Sequence, residues 1–170
     1  MIFLVEPSEV SAVAAKRMDS NMRFRTYLRN HADCDKLDSQ FAALHKELFS
    51  SYDCCQCHNC CEAYQVILEE GEAKAIAGFL GQSEGAFIDA YLAKAEDGYE
   101  IRGKPCPFLC ADGRCRIQEC KPSSCKGYPF MDQPDRMGSL YGVLEFSEVC
   151  PIVLEILERL KQLYRFRDRK

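Results

Sequence analysis

Twelve of the 170 residues are cysteine, and Cys54, Cys55, Cys57, Cys60 and Cys61 fall within eight consecutive positions. Two thiolates three residues apart can grip one metal ion when the backbone turns between them, each sulfur sitting about 2.3 Å from zinc. Cys54, Cys57 and Cys60 repeat that spacing. Three sulfurs can therefore converge on one ion or cluster, and a fourth ligand must come from elsewhere. A C-x2-C-x2-C run with a distant Cys-Pro also occurs in cluster-binding ferredoxins. Cys150-Pro151 supplies such a pair, at a far longer spacing. The adjacent Cys60 and Cys61 point in different directions in most backbone conformations. They serve two metals, or one is a ligand and the other its neighbour.

A second stretch, residues 105–129, carries Cys106, Cys110, Cys115, Cys120 and Cys125. The competing reading is a disulfide framework of the kind found in small secreted domains. Crowding of five thiols into eight residues suits a shared metal better than cross-links between distant segments. The opening Met1-Ile-Phe-Leu-Val5 has no basic region before it and meets Glu6 and Pro7 at once, unlike a signal peptide. Thiolates repel one another, so a four-sulfur site on a divalent ion needs backbone N–H groups and cations nearby. Arg114, Arg116, Lys121 and Lys126 interleave the second stretch and can supply that charge, or stand as exposed loop cations. His58, inside the first stretch, can replace one sulfur on zinc. His31 and His45 read as solvated helix residues. Soft sulfur donors suit zinc and iron–sulfur clusters alike.

The elements that must hold these thiols are mostly helical. Ser8 is placed to cap a helix running through Ala12 to Arg29, with apolar points at Val13, Met18, Met22, Phe24, Tyr27 and Leu28. Asp35 to Ser50 reads as a second helix, with Leu37, Phe41, Leu44, Leu48 and Phe49 on one face, so residues 1–50 suggest a helical hairpin. Tyr64 to Leu68 is a short strand candidate. Glu70 to Leu80 reads as a helix ended by Gly81, and Ser83 caps another reaching about Ala95. Gly98 to Gly103 reads as a strand, Ala111-Asp112-Gly113-Arg114 as a hairpin tip, and Leu140 to Phe146 as a strand. Pro151 opens a C-terminal helix within 149–168 that turns Ile152, Ile156, Leu160, Leu163 and Tyr164 one way. Arg165, Arg167, Arg169 and Lys170 would compensate its last turn. The expected fold is α+β and α-rich, a single domain over 1–170 with helices around a compact, loop-rich cysteine cluster and a few short strands.

Two blocks of this sequence resemble the YkgJ-type CxxCxxCC cysteine-cluster family, described as zinc- or iron-chelating. The first is Cys54-x2-Cys57-x2-Cys60-Cys61. The second runs through Cys106-Pro107-Phe108-Leu109, Asp112-Gly113-Arg114-Cys115, Ile117, Lys121-Pro122-x2-Cys125 and Tyr128-Pro129-Phe130, with Cys150-Pro151 resembling the last cysteine. The resemblance covers about residues 50–155. It implies Cys54, Cys57, Cys60, Cys61, Cys106, Cys115, Cys125 and Cys150 as metal ligands, with Arg114, Lys121 and Tyr128 as candidates to support them from behind. Eight thiols would fill two four-sulfur sites, or one site with redox or neighbouring partners. Lys121 stands where the family usually has arginine, and Gln118 where it usually has tyrosine. Cys34, Cys55, Cys110 and Cys120 are additional and read as small buried apolar residues, although Cys110 and Cys120 lie close enough to be alternative ligands.

Charge and composition narrow the function. Apolar residues make up 47% and the formal net charge is −4, so no global field favours nucleic acid. No apolar run approaches the roughly 20 residues of a membrane span. A cytoplasmic protein is expected. Gly78, Gly81 and Gly85 do not form a phosphate loop, since no Gly-Lys-Ser/Thr follows. The first function expected is iron–sulfur or iron chemistry with a redox or electron-transfer role, compatible with an iron–sulfur oxidoreductase acting with an unidentified redox or protein partner. The alternative is a zinc-stabilised structural or interaction module. A third is a methyl-transfer enzyme similar to flagellin lysine methylases. Radical methylating enzymes use C-x3-C-x2-C, and Cys106-x3-Cys110 begins that pattern, but glycine at 113 breaks it. With three histidines, no Ser-His-Asp or Cys-His arrangement emerges.

Overall fold

The computed structural model describes residues 4–96 and 98–168. Along the chain the helices are α1 (Val10–His31), α2 (Cys34–Phe49), α3 (Cys54–Cys57), α4 (Asn59–Ala63), α5 (Glu72–Phe79), α6 (Glu84–Tyr91), α7 (Ser123–Gly127), α8 (Leu140–Ser147) and α9 (Pro151–Leu163). The strands are β1 (Ile67–Leu68), β2 (Leu92–Ala95) and β3 (Gly98–Ile101). The fold is α+β and helix-rich, with one small antiparallel sheet. Its contacts divide the chain into two compact units. Residues 4–53 with 129–168 form a helical unit, and Cys54–Tyr128 forms a unit that holds ten of the twelve cysteines.

In the helical unit, α9 packs against α1, α2 and α8. Its Ile152, Val153, Leu154, Ile156, Leu157 and Leu160 are all buried, so more than one face is covered. Leu163, expected on the apolar face, is 58% exposed because the helix ends there. Arg165 and Arg167 lie past the last turn, which carries Lys161 instead; Arg169 and Lys170 lie outside the described residues. Along α1 the buried stripe is Val10, Ala14, Asn21, Phe24 and Leu28, while Met22 faces solvent. Ser8 does not cap α1. It sits in a 3-10 turn, Pro7–Glu9, and Glu9 precedes the helix without a side-chain cap bond. For α2 the cap is Asp33, whose carboxylate accepts the Lys36 N–H at 2.9 Å.

Leu140–Ser147 is a helix, not the expected strand. Its aromatic and branched residues suggest β structure, but burial falls on Leu140, Val143, Leu144 and Ser147, the three- and four-residue spacing of one helical face. The helix expected from Ser83 to Ala95 stops at Tyr91. Leu92–Ala95 then pairs with β3 in register, Leu92 opposite Ile101 and Ala95 opposite Gly98. Tertiary pairing overrides local helix propensity there.

The core of the cysteine unit joins Ile76 and Ala77 of α5, Phe87 of α6, Leu68 and Ile101 of the sheet, and Phe108 and Ile117 of the loop region. Cys106, Cys115, Cys120 and Cys125 pack against it. Sheet order is β1-β3-β2. Beyond the sheet, the Ile101 N–H donates to the Val66 carbonyl at 2.9 Å.

In the helical unit, Asp38 ties α2 to the segment before α8. Its two carboxylate oxygens accept the N–H groups of Asp135 and Arg136, both at 2.8 Å. Asp38→Ala removes both charge-assisted bonds and is expected to lower stability by about 2 kcal/mol. A urea unfolding midpoint unchanged from wild type would refute this role.

Candidate metal centre

Short helices and tight turns, rather than long elements, hold the cysteines. His58 separates α3 from α4 with a left-handed backbone, φ 42°. Its N–H donates to the Cys54 carbonyl at 2.9 Å, and its own carbonyl accepts the Cys61 N–H at 2.8 Å. The chain reverses inside the first cysteine block as a result. In the second block the Asp112-Gly113 turn closes a hairpin as expected. The Cys110 N–H donates to the Arg114 carbonyl at 2.8 Å, the Asp112 carboxylate accepts the Arg114 N–H at 3.1 Å, and Leu109 pairs with Cys115.

The two blocks meet. The Cys106 N–H donates to the Cys61 carbonyl at 2.8 Å. Gly113, at φ +82°, lies so close to Cys55 that a Cβ there would collide with the Cys55 carbonyl oxygen. Among the described residues no disulfide forms, and all twelve cysteines are thiols.

Cys60, Cys61, Cys106, Cys115 and Cys125 line one cavity of about 50 Å³. Tyr64, Val66, Ile101, Phe108 and Ile117 supply its apolar wall, and Lys121, Pro122 and Tyr128 complete it. Among the described residues, no imidazole or carboxylate lines it. Tyr64 and Tyr128 pack with ring centroids 4.7 Å apart.

The thiols perturb one another. Cys61 is held down to about 6, first by its hydrogen bond with Cys60 and then by the charges of Lys121, His58 and Lys104, against the opposing effect of burial. Cys125 is pushed up to about 12 by burial and then by negative charge on Cys106, Cys61 and Cys115. Burial also raises Cys106 and Cys115. Every pair among Cys61, Cys106, Cys115 and Cys125 interacts electrostatically. Burial depresses Lys104, while Cys106, Cys125, Cys61 and Cys60 act to raise it.

Of the eight ligand candidates, the cavity brings together five. Cys54, exposed at the start of α3, and Cys57, 8% exposed at its end, do not line it. Cys150 belongs to the helical unit, where it precedes Pro151 and is 8% exposed. Lys121 and Tyr128 line the cavity, whereas Arg114 is exposed at the hairpin tip beside Asp112. His58 turns its Nε2 to Glu62 at 3.4 Å and buries Nδ1. Arg116 stacks over Tyr91 and Phe108 instead of facing the thiols. Cys34 is exposed, so it is not the buried apolar residue expected; Cys55, Cys110 and Cys120 are partly buried. The sequence reading missed Lys104, and it missed the side chains that brace the second block, Glu72 and Ser124. Glu72 accepts the Ser123 N–H at 2.6 Å, and the Ser124 hydroxyl donates to the Ile67 carbonyl at 2.8 Å. Neither contact leaves a local pattern, because the partners lie more than fifty residues apart.

Thiolate-only donors match soft divalent ions, and the apolar wall offers competing water no hydrogen-bonding partners. Among the described residues, no three His, Cys, Asp or Glu side chains already stand in ligating geometry. Protonated thiols do not ligate, and a metal held by these residues would displace their protons. The donor set thus fits a chelated metal in its chemistry.

An α+β fold with thiols from two sequence blocks gathered on one cavity defines a cysteine-cluster, metal-chelating class of protein. The chain belongs to the CxxCxxCC family, whose model matches residues 53–151, more than half of the chain, and carries the description "Putative zinc- or iron-chelating domain". No curated protein and no solved structure matches it.

Gly113→Ala tests the meeting of the blocks. It adds a methyl where the Cys55 carbonyl sits and imposes a left-handed backbone on alanine. The expected loss is about 1–3 kcal/mol or more, visible as a lowered melting temperature. A variant melting with wild type would show that this contact is dispensable.

Proposed function

We propose that the chain holds iron, alone or with inorganic sulfide, on the thiolates of Cys61, Cys106, Cys115 and Cys125, and serves a redox or electron-transfer role. The observation that carries this reading is the shared cavity, in which Cys125 feels the charge of the other three thiols, Cys115 that of Cys106 and Cys61, and Cys106 that of Cys61. Cys60 hydrogen-bonds Cys61 and acts as its neighbour rather than as a fifth ligand. Cys54, Cys57 and Cys150 stand outside this four-sulfur set. Iron on thiolate ligands supplies one-electron chemistry, and burial with nearby hydrogen bonds sets its potential. The residues' own part is to exclude water through Phe108, Ile117 and Ile101 and to offset thiolate charge through Lys121 and Lys104. A cavity of about 50 Å³ has room for one ion once the thiols turn to it; a cluster requires the walls to part.

A second reading has its own support. Cys106, Cys115 and Cys125 pack against the apolar core of their unit. Zinc there would extend that core and hold the fold together without redox change.

Metal analysis of anaerobically purified protein, with its visible spectrum, separates the two. Brown protein containing iron is expected. Colourless protein with stoichiometric zinc would replace the first reading by the second. Serine at Cys61, Cys106, Cys115 or Cys125 is expected to abolish stoichiometric metal, whereas Cys34→Ala retains it. Equal loss from Cys34→Ala would sink the assignment of ligands.

A further inference from the structure

Cys125 sits on α7, a five-residue helix with an unusual start. Its N-cap is Pro122, which has no side chain able to accept a hydrogen bond. The first N–H groups of a helix need acceptors from outside it, and Ser, Thr, Asp or Asn at the N-cap ordinarily supplies one. Here the acceptor comes from another helix. Glu72, at the first position of α5, accepts the Ser123 N–H on Oε1 at 2.6 Å and the Glu69 N–H on Oε2 at 2.9 Å. One carboxylate thus closes two turns, that before α5 and the start of α7. From Ser123 the helix proceeds through a Cys125 N–H bond to the Pro122 carbonyl at 3.0 Å. The Ser124 hydroxyl, bonded to Ile67, adds a tie to β1.

We propose that Glu72 is a positioning residue for the thiol centre, capping α7 from α5 so that Cys125 faces the cavity. The inference rests on the four-thiolate reading above. Glu72 does not line the cavity and ligates nothing; it acts through the backbone of α7. The neighbouring wall belongs to the same brace, since Lys121 and Pro122 lead directly into the capped turn. Loss of groups that orient metal ligands typically weakens binding by 10–100-fold.

The full-length reduced chain is titrated anaerobically with cobalt(II), which reports thiolate ligation through its charge-transfer and ligand-field absorption. Glu72→Ala is expected to bind cobalt about tenfold more weakly, with an altered ligand-field spectrum. Ser123→Pro removes the same bond from the donor side, and proline is well tolerated at a first helical position. It should reproduce that shift, and the double variant should be no weaker than either single one. Glu72→Gln keeps one accepting oxygen and should recover part of the affinity. Wild-type affinity and spectrum in both single variants would overturn the inference while leaving the thiol centre intact, provided Cys125→Ser loses the thiolate band. Absence of that band in the wild-type chain would overturn both together. Should Glu72→Ala fail to fold by circular dichroism, Ser123→Pro decides alone.

Discussion

The close approach of two backbones governs this site. Cys61 and Cys106 are far apart in sequence, yet the amide of one is bonded to the carbonyl of the other, and Gly113 lies against the carbonyl of Cys55. Side chains can adjust by rotation, but main chains this close leave no such freedom. The thiols share a cavity because the strands of chain that carry them are locked at this distance. Glycine at 113 is required twice over, for its positive φ and for the missing Cβ.

Electrostatics works against that arrangement. Four ionised thiols cannot share an apolar cavity without compensation, since each charge raises the cost of the next. The molecule resolves this unevenly. Cys61, hydrogen-bonded to Cys60 and near Lys121 and Lys104, ionises most readily, and Cys125, the most enclosed, least. A divalent cation is the natural remaining partner, because it removes the protons and replaces their charge. Family membership and cavity chemistry therefore lead to the same requirement from independent directions.

Much of this was legible in the sequence, because cysteine spacing and turn chemistry are local signals. The hairpin tip at Asp112-Gly113 and the helices around Leu37 to Leu48 and Ile152 to Leu160 follow from short-range pattern. Two failures have one cause. Leu140–Ser147 carries Tyr141, Val143 and Phe146, which favour strands, and Leu92–Ala95 continues a helical run; in each, tertiary packing decided the outcome. The ligand set blurred for a different reason. A C-x2-C spacing says that two sulfurs can converge, not that they do, and α3 leaves Cys54 exposed while it buries Cys57. The braces at Glu72 and Ser124 are bonds between distant segments, which no local pattern encodes.

The apolar lining has a consequence for any redox role. Four thiolates on a divalent ion carry an excess of two negative charges, and oxidation of iron removes one. A wall of Phe108, Ile117, Ile101 and Val66 offers little solvation to either state, so the cations near the sulfurs weigh heavily. Lys121 lines the cavity, and Lys104 feels four of the thiols. Both stabilise the more negative, reduced form and would raise the potential of a bound iron. With zinc the same lysines have no redox state to bias and serve only to balance charge. Placing cations beside a sulfur centre is thus neutral between the metals in binding but not in function.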